Sequence, residues 1–222
     1  MRTSRPLIAV SAAASLTYLL TRPLTAGDWP VVFAVLSTFL LAVLGFRVDR
    51  LLGAALALSS LGDLLLGVRR LGPLDGESVF LLGLSSFLLA HLVYIAMFRK
   101  YRALVWWKPR QARLLGVLTV LIVLGSMLGI LRHSFGPMLI PVVVYSLVLS
   151  GMAISAMLAD LGTPLAAFGA LLFITSDAML AISKFRGPFP GNEQLIWITY
   201  YVAQFLILCG VERRHSREQR TP

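Results

Sequence analysis

Long apolar runs, broken by short clusters of charge, proline and glycine, fill the chain from end to end. Each run approaches the ~20 residues that a helix needs to cross a hydrocarbon layer. The pattern predicts eight transmembrane helices, over residues 7–20, 29–46, 51–68, 78–98, 111–131, 137–158, 163–184 and 194–211. Asp28 ahead of Trp29-Pro30, Ser78 after Asp75 and Glu77, and Thr163-Pro164 are read as helix caps. Pro141 is expected to kink the sixth helix or to fall in its first turns, and Gly125-x-x-x-Gly129 to admit a close neighbour. The first run, with Arg2 and Arg5 ahead of a short apolar stretch, also has the features of a signal peptide; a retained helix is the preferred reading.

The fold class is therefore all-α, a polytopic membrane protein with one transmembrane domain over 1–222. A local repeat refines it. Laying Asp63 on Asp177 also matches Leu66 with Leu180 and Phe87 with Tyr201. This suggests two parallel four-helix halves, 1–110 and 111–222, with a site where they meet.

Composition agrees: 58% hydrophobic and 14% charged residues exclude an ordinary soluble globule. A net charge of +10 would suggest a nucleic-acid partner in a soluble protein. Here the basic residues sit at helix ends, so they read as topology signals and contacts to lipid head groups, and no nucleic acid is expected. With eight crossings both termini share one side, and fourteen of the 20 Lys/Arg residues fall there, which places both termini in the cytoplasm. Trp106 and Trp107 in the most basic loop are expected to anchor at the interface. Arg, Ala and Leu usage points to a bacterial inner membrane. Nothing in the sequence reports an oligomeric state.

The single cysteine, Cys209, excludes an internal disulfide, and His91, His133 and His215 form no zinc pattern. No metal and no cofactor is expected. Gly83-Leu84-Ser85-Ser86-Phe87 lacks the second glycine of a nucleophile elbow, and glycine-rich phosphate loops are missing.

The chemistry-bearing residues lie inside the apolar runs. Asp63, in Ser59-Ser60-Leu61-Gly62-Asp63, and Asp177, in Thr175-Ser176-Asp177, place carboxyls where an ionised group costs roughly 2.5–3.5 kcal/mol. At ~1.5 Å per residue both lie roughly 8–11 Å below the outer helix ends, with Tyr201 in the same layer, so the two carboxyls are expected to face one cavity. The bland alternative caps them with the neighbouring Ser and Thr hydroxyls. On the fourth helix Gly83, Phe87, Tyr94 and Phe98 share a face flanked by His91, itself roughly 10 Å deeper than the aspartates. The seventh aligns Phe173, Asp177, Leu180 and Lys184, the lysine either snorkelling to water or holding a lipid phosphate. The eighth presents Trp197, Tyr201 and Gln204, with Tyr200 beside them. On residues alone, an enzyme and a proton-coupled carrier stand close together, and a noncatalytic lipid-binding or assembly protein follows.

Gly62-Asp63, Phe87-x-x-x-His91-x-x-Tyr94, Phe173-x-x-Ser176-Asp177-x-x-Leu180-Ala181 with Lys184-Phe185, and Tyr200-Tyr201-x-x-Gln204 resemble the YhhN family of multi-pass membrane proteins, which includes lysoplasmalogenases. The resemblance implies hydrolysis of the vinyl ether bond of a lysoplasmalogen, a lysophospholipid held in the bilayer, to a fatty aldehyde and a glycerophospho-choline or glycerophospho-ethanolamine. Such a bond is cleaved by protonating its outer alkene carbon and capturing the resulting oxocarbenium ion with water, which calls for one carboxyl as acid and one as base. Asp63 and Asp177 are expected to fill these roles. Ser176, Tyr201 and Gln204 would orient water or substrate and Lys184 would meet the phosphate. His91 and Tyr94 would line the acyl tunnel or relay protons, with Ser59, Gly83, Phe87, Phe173 and Tyr200 completing the substrate contacts.

Overall fold

The computed structural model describes residues 5–25, 27–68, 74–101, 110–131 and 136–219. Eight long helices follow in order: α1 Arg5–Thr21, α2 Val31–Val48, α3 Arg50–Gly67, α4 Gly76–Lys100, α5 Arg110–Leu131, α6 Leu139–Leu158, α7 Leu165–Arg186 and α8 Asn192–Glu218. Seven of the spans they form are long and apolar enough to cross a membrane. Within α5 the described apolar stretch, Gly116–Gly125, is shorter. Large apolar side chains such as Leu20, Val32, Phe39, Leu89, Ile122, Ile140 and Phe168 stand exposed on the helices. That is the surface that a hydrocarbon solvent requires. This is an all-helical, multi-pass membrane protein.

The chain forms two compact units, Met1–Tyr94 and Ile95–Pro222. In the first, α2 packs on α1 and α3. Gly45 and Gly53 make the α2–α3 approach possible: a Cβ at Gly45 would stand 2.8 Å from Leu56 Cδ1 and 3.0 Å from the Gly53 Cα. The helices are also pinned by serines that donate to a neighbour's main-chain carbonyl. Ser11 Oγ donates to Ser37 O at 2.8 Å, Ser60 Oγ to Val35 O at 3.1 Å, and Ser86 Oγ to Leu58 O at 2.7 Å. Lipid offers no competing partner, so one such bond per helix pair fixes depth and rotation.

In the second unit α7 packs on α8 and α6, and α5 on α6 and α7. Gly169 and Gly210 are the close points of α7 and α8, where a Cβ at 210 would lie 3.0 Å from Ala166 N. Ser176 Oγ donates to Ile196 O at 2.9 Å, and Asn192 Nδ2 donates to Ser183 Oγ at 2.7 Å beside the α7–α8 turn. Past the apolar part of α8, Arg217 Nη1 donates to Gly162 O at 3.1 Å and so ties the helix end to the α6–α7 turn.

Several local expectations are corrected. Pro30 and Pro164 stand at the N-cap positions of α2 and α7, so Asp28 is not the N-cap of α2, whereas Thr163 does serve the start of α7, its Oγ1 accepting the Leu165 N–H at 3.4 Å. Before α4 the capping acceptor is Asp75, whose Oδ1 takes the Ser78 N–H at 2.7 Å; Ser78 is the donor. Asp49, passed over in the sequence, caps α3 by accepting from Leu51 N at 2.7 Å and Leu52 N at 3.2 Å. Pro141 sits in the first turn of α6, where its missing N–H costs nothing. Among the described residues, no atom comes within 4 Å of a Cβ built at Gly125 or Gly129. Trp106, Trp107 and His133 lie outside the described residues.

Candidate active site

In the first unit the polar centre is built by α3 and α4. The buried positions of α4 recur at helical spacing: Val79, Gly83, Ser86, Phe87, Ala90, His91 and Tyr94 turn inward, while Leu82, Leu89 and Leu92 are exposed. His91 and Tyr94 are wholly buried. Gly62 lets the Phe87 ring lie against α3, because a Cβ there would reach 2.6 Å from Phe87 Cδ2; at Gly83 it would meet Leu66 Cγ at 2.7 Å. The half-buried Asp63 carboxylate lies near enough to the Tyr94 phenol to couple to it electrostatically. Ser59, one turn before Asp63, is fully buried, and its hydroxyl has no hydrogen-bond partner among the described residues.

In the second unit α6, α7 and α8 build a centre around Asp177, which is half-buried. The Tyr145 hydroxyl, on α6, donates a hydrogen bond to Asp177 Oδ2. One turn before the carboxyl, Phe173 is fully buried and meets the edge of Tyr200, with ring centroids 5.3 Å apart. Gln204 Nε2 donates to the Tyr200 hydroxyl at 3.3 Å. Trp197 lies 5.5 Å from the Tyr200 ring and stacks on Tyr201 at 6.3 Å. Phe173 and the α8 side chains form an aromatic wall, closed by a buried amide and phenol.

The hydroxyls next to the aspartates serve main-chain carbonyls. Ser60 donates to Val35 O, Thr175 to Leu171 O at 3.0 Å, and Ser176 to Ile196 O. Each hydroxyl has one proton to give. Capping of Asp63 by Ser60, or of Asp177 by Thr175 or Ser176, is thereby overturned, and Ser176 keeps only lone pairs for water or substrate.

The YhhN family model matches residues 29–211, a segment that contains both intramembrane aspartates. The chain belongs to the YhhN family. Among curated relatives, a lysoplasmalogenase of Mycobacterium tuberculosis is 36% identical over 170 residues, covering 74% of this chain and 61% of its own. A human lysoplasmalogenase is 36% identical over 165 residues, covering 74% of this chain and 64% of its own. One from Rattus norvegicus is 33% identical over 210 residues, covering 90% and 81%. The chain thus spans under two thirds of the length of the first two. No solved structure matches.

Within this YhhN chain, the second unit gathers Asp177, Phe173, Tyr200, Tyr201 and Gln204, and the first gathers Ser59, Asp63, Gly83, Phe87, His91 and Tyr94. Lys184 stands exposed near the end of α7, about 10 Å along the helix from Asp177 at ~1.5 Å per residue. The buried partner of Gln204 is Tyr200, whereas the sequence pattern had grouped it with Tyr201. Tyr145 was missed altogether. Its signal was nonetheless present: a lone phenol inside Val142-Val143-Val144-Tyr145-Ser146-Leu147-Val148 needs a polar partner in lipid.

Proposed function

We propose that this protein is a lysoplasmalogenase, hydrolysing the vinyl ether bond of lysoplasmalogens within the bilayer to a fatty aldehyde and a glycerophospho-choline or glycerophospho-ethanolamine. The observation that carries the reading is the family match over 29–211, which takes in both Asp63 and Asp177, joined to the 36% identity with proteins named for this activity. The residues fit the chemistry. Asp63 and Asp177 divide general acid and base between them, a contribution worth ~10²–10⁴ in rate for each proton transfer. The aromatic wall of Phe173, Tyr200 and Tyr201 is suited to an alkenyl chain, and the exposed Lys184 to the phosphate at the membrane surface. Ser59, Ser176 and Gln204 offer polar atoms to water or substrate, and Gly83, Phe87, His91 and Tyr94 line the chain's path.

The supporting topology has eight crossings, α5 included, in two parallel four-helix halves, 1–110 and 111–222. Both termini lie in the cytoplasm of a bacterial inner membrane. A C-terminal fluorescent reporter that stays dark in the cytoplasm, paired with an alkaline phosphatase fusion that is active, would refute that orientation.

The decisive experiment measures aldehyde released from lysoplasmalogen by purified protein in detergent, beside Asp63→Asn and Asp177→Asn variants checked for fold by gel filtration. The wild type is expected to release aldehyde and each variant to lose at least 100-fold in kcat. A folded wild type that releases none would sink the assignment, and substrate flux in proteoliposomes would then test a proton-coupled carrier.

A further inference from the structure

The aromatic wall of the second unit ends in charge. On α7, Phe173, Asp177 and Lys184 recur at helical spacing, and on α8 so do Glu193, Trp197, Tyr200 and Gln204. The two rows meet where the Phe173 ring stands edge-on to Tyr200, with centroids 5.3 Å apart. Near the other end, Asn192 Nδ2 donates to Ser183 Oγ at 2.7 Å. Because α7 and α8 are antiparallel neighbours, the residues that follow Ser183 and Asn192 turn to the same side of that bond. These are Lys184 and Glu193, and both are exposed. One face of the helix pair thus runs from aromatic rings and a carboxyl within the span to a cation and an anion at its end.

We propose that this end is a site for a zwitterionic head group, in which Lys184 holds the phosphate and Glu193 the ammonium, so that Glu193 is a specificity-determining residue. The inference rests on the lysoplasmalogenase reading for its substrate and lies wholly within the second unit. Lys184 stands about 10 Å beyond Asp177 along α7 at ~1.5 Å per residue. In a lysoplasmalogen the phosphate lies a few bonds headward of the vinyl ether, with the ammonium beyond it. The row presents its groups in that order, Asp177 first and the charged pair after. Opposite charges on the protein match both ends of a phosphocholine or a phosphoethanolamine. A head group with a phosphate and no ammonium keeps its contact with Lys184 and brings an anion towards Glu193 with no cation to offset it. Selection therefore uses repulsion as well as attraction.

The test compares lysoplasmalogens with one alkenyl chain and three head groups, phosphocholine, phosphoethanolamine and phosphoglycerol, in neutral detergent micelles at low salt. Glu193→Gln is expected to raise KM for the two zwitterions about threefold, the contribution of one exposed ion pair, and to leave KM for phosphoglycerol unchanged or lower. Turnover should stay within about twofold on all three, because the charge acts on binding and not on the chemical step. Glu193→Lys should reverse the order and favour phosphoglycerol. Lys184→Gln should raise KM for all three, since each carries a phosphate. Arg186→Gln is the control: two residues on, its side chain leaves α7 on the far side from Lys184, and head-group preference should not change. High salt should level the three KM values in the wild type. The proposal is overturned if Glu193→Gln shifts all three KM values alike or none of them, or if the wild-type preference survives high salt. A wild type that cleaves none of the three would defeat the lysoplasmalogenase reading alone. Saturated ether lysolipids with the same head groups, which have no vinyl bond to cleave, would then decide the site: thermal stabilisation ordered by head group in wild type and levelled in Glu193→Gln upholds it, and equal stabilisation in both overturns it.

Discussion

Replacing Gly169 by alanine tests the α7–α8 packing that carries Asp177. A Cβ at this position would stand 2.7 Å from the Ala203 carbonyl oxygen, 2.9 Å from Ile207 Cγ1 and 3.1 Å from Ile207 N. The first is about 0.6 Å short of the ~3.3 Å at which carbon approaches a carbonyl oxygen in a weak C–H···O contact. Two of the three atoms belong to the main chain of α8, so no rotamer change relieves the overlap and the helices must part. Overpacking of this kind costs ~1–3 kcal/mol, and alanine regains up to ~1 kcal/mol over glycine as a helix former. The backbone conflict puts Gly169 near the upper end, so the net loss is about 1–2 kcal/mol, a five- to thirty-fold shift towards the unfolded state. Gly125→Ala is the control, because there only the helix-forming gain operates. Thermal unfolding in detergent, followed by circular dichroism and by gel filtration after heating, should rank Gly125→Ala at or above wild type and Gly169→Ala below it. The reasoning fails if Gly169→Ala is as stable as wild type, or if Gly125→Ala is destabilised as much.

Two further outcomes follow from the helix caps. Asp49→Ala removes the acceptor for Leu51 N and Leu52 N and should cost about 0.5–2 kcal/mol, read as a lower unfolding temperature that Asp49→Ser largely restores. The Ser78 main-chain and side-chain donors hold the Asp75 carboxyl below its ordinary value of 3.8. Its cap contribution is therefore complete above that value and is lost as pH falls through the lower folded value. Unfolding temperature measured from pH 6 down to pH 3 should fall less steeply in Asp75→Asn than in wild type, and parallel curves would refute the cap.

The helices were legible because each is bounded by something that cannot enter lipid, such as Arg50 at the start of α3 or Lys100 at the end of α4. The end of α8 was misjudged for the same reason. Beyond the apolar part, the helix continues to Glu218 in water, helped by the Arg214–Glu218 pair at 3.0 Å and by Arg217 on Gly162 O. Within one helix, the face shared by Gly83, Phe87, Tyr94 and Phe98, with His91 on its flank, also followed from spacing, because 3.6-residue periodicity needs no partner to be read. Contacts between helices did not. Tyr145 meets Asp177 only because α6 packs on α7, and no periodicity in either helix states that pairing. Gly125 and Gly129 had the spacing of a packing motif with no neighbour among the described residues, while Gly45, Gly53 and Gly169 had the neighbour without the motif. Small residues permit approach; they do not choose which faces meet.

The serine bonds that tie the helices together end on main-chain carbonyls: those of Ser37, Val35, Leu58 and Ile196. Every residue type carries that acceptor. Each tie therefore depends on the identity of one position only, and the residue across the interface is free to drift in size or shape without untying it. Those interfaces can therefore change one substitution at a time, with no compensating change on the facing helix. The architecture inherits its registration through a handful of serines and leaves the rest of each interface open to variation.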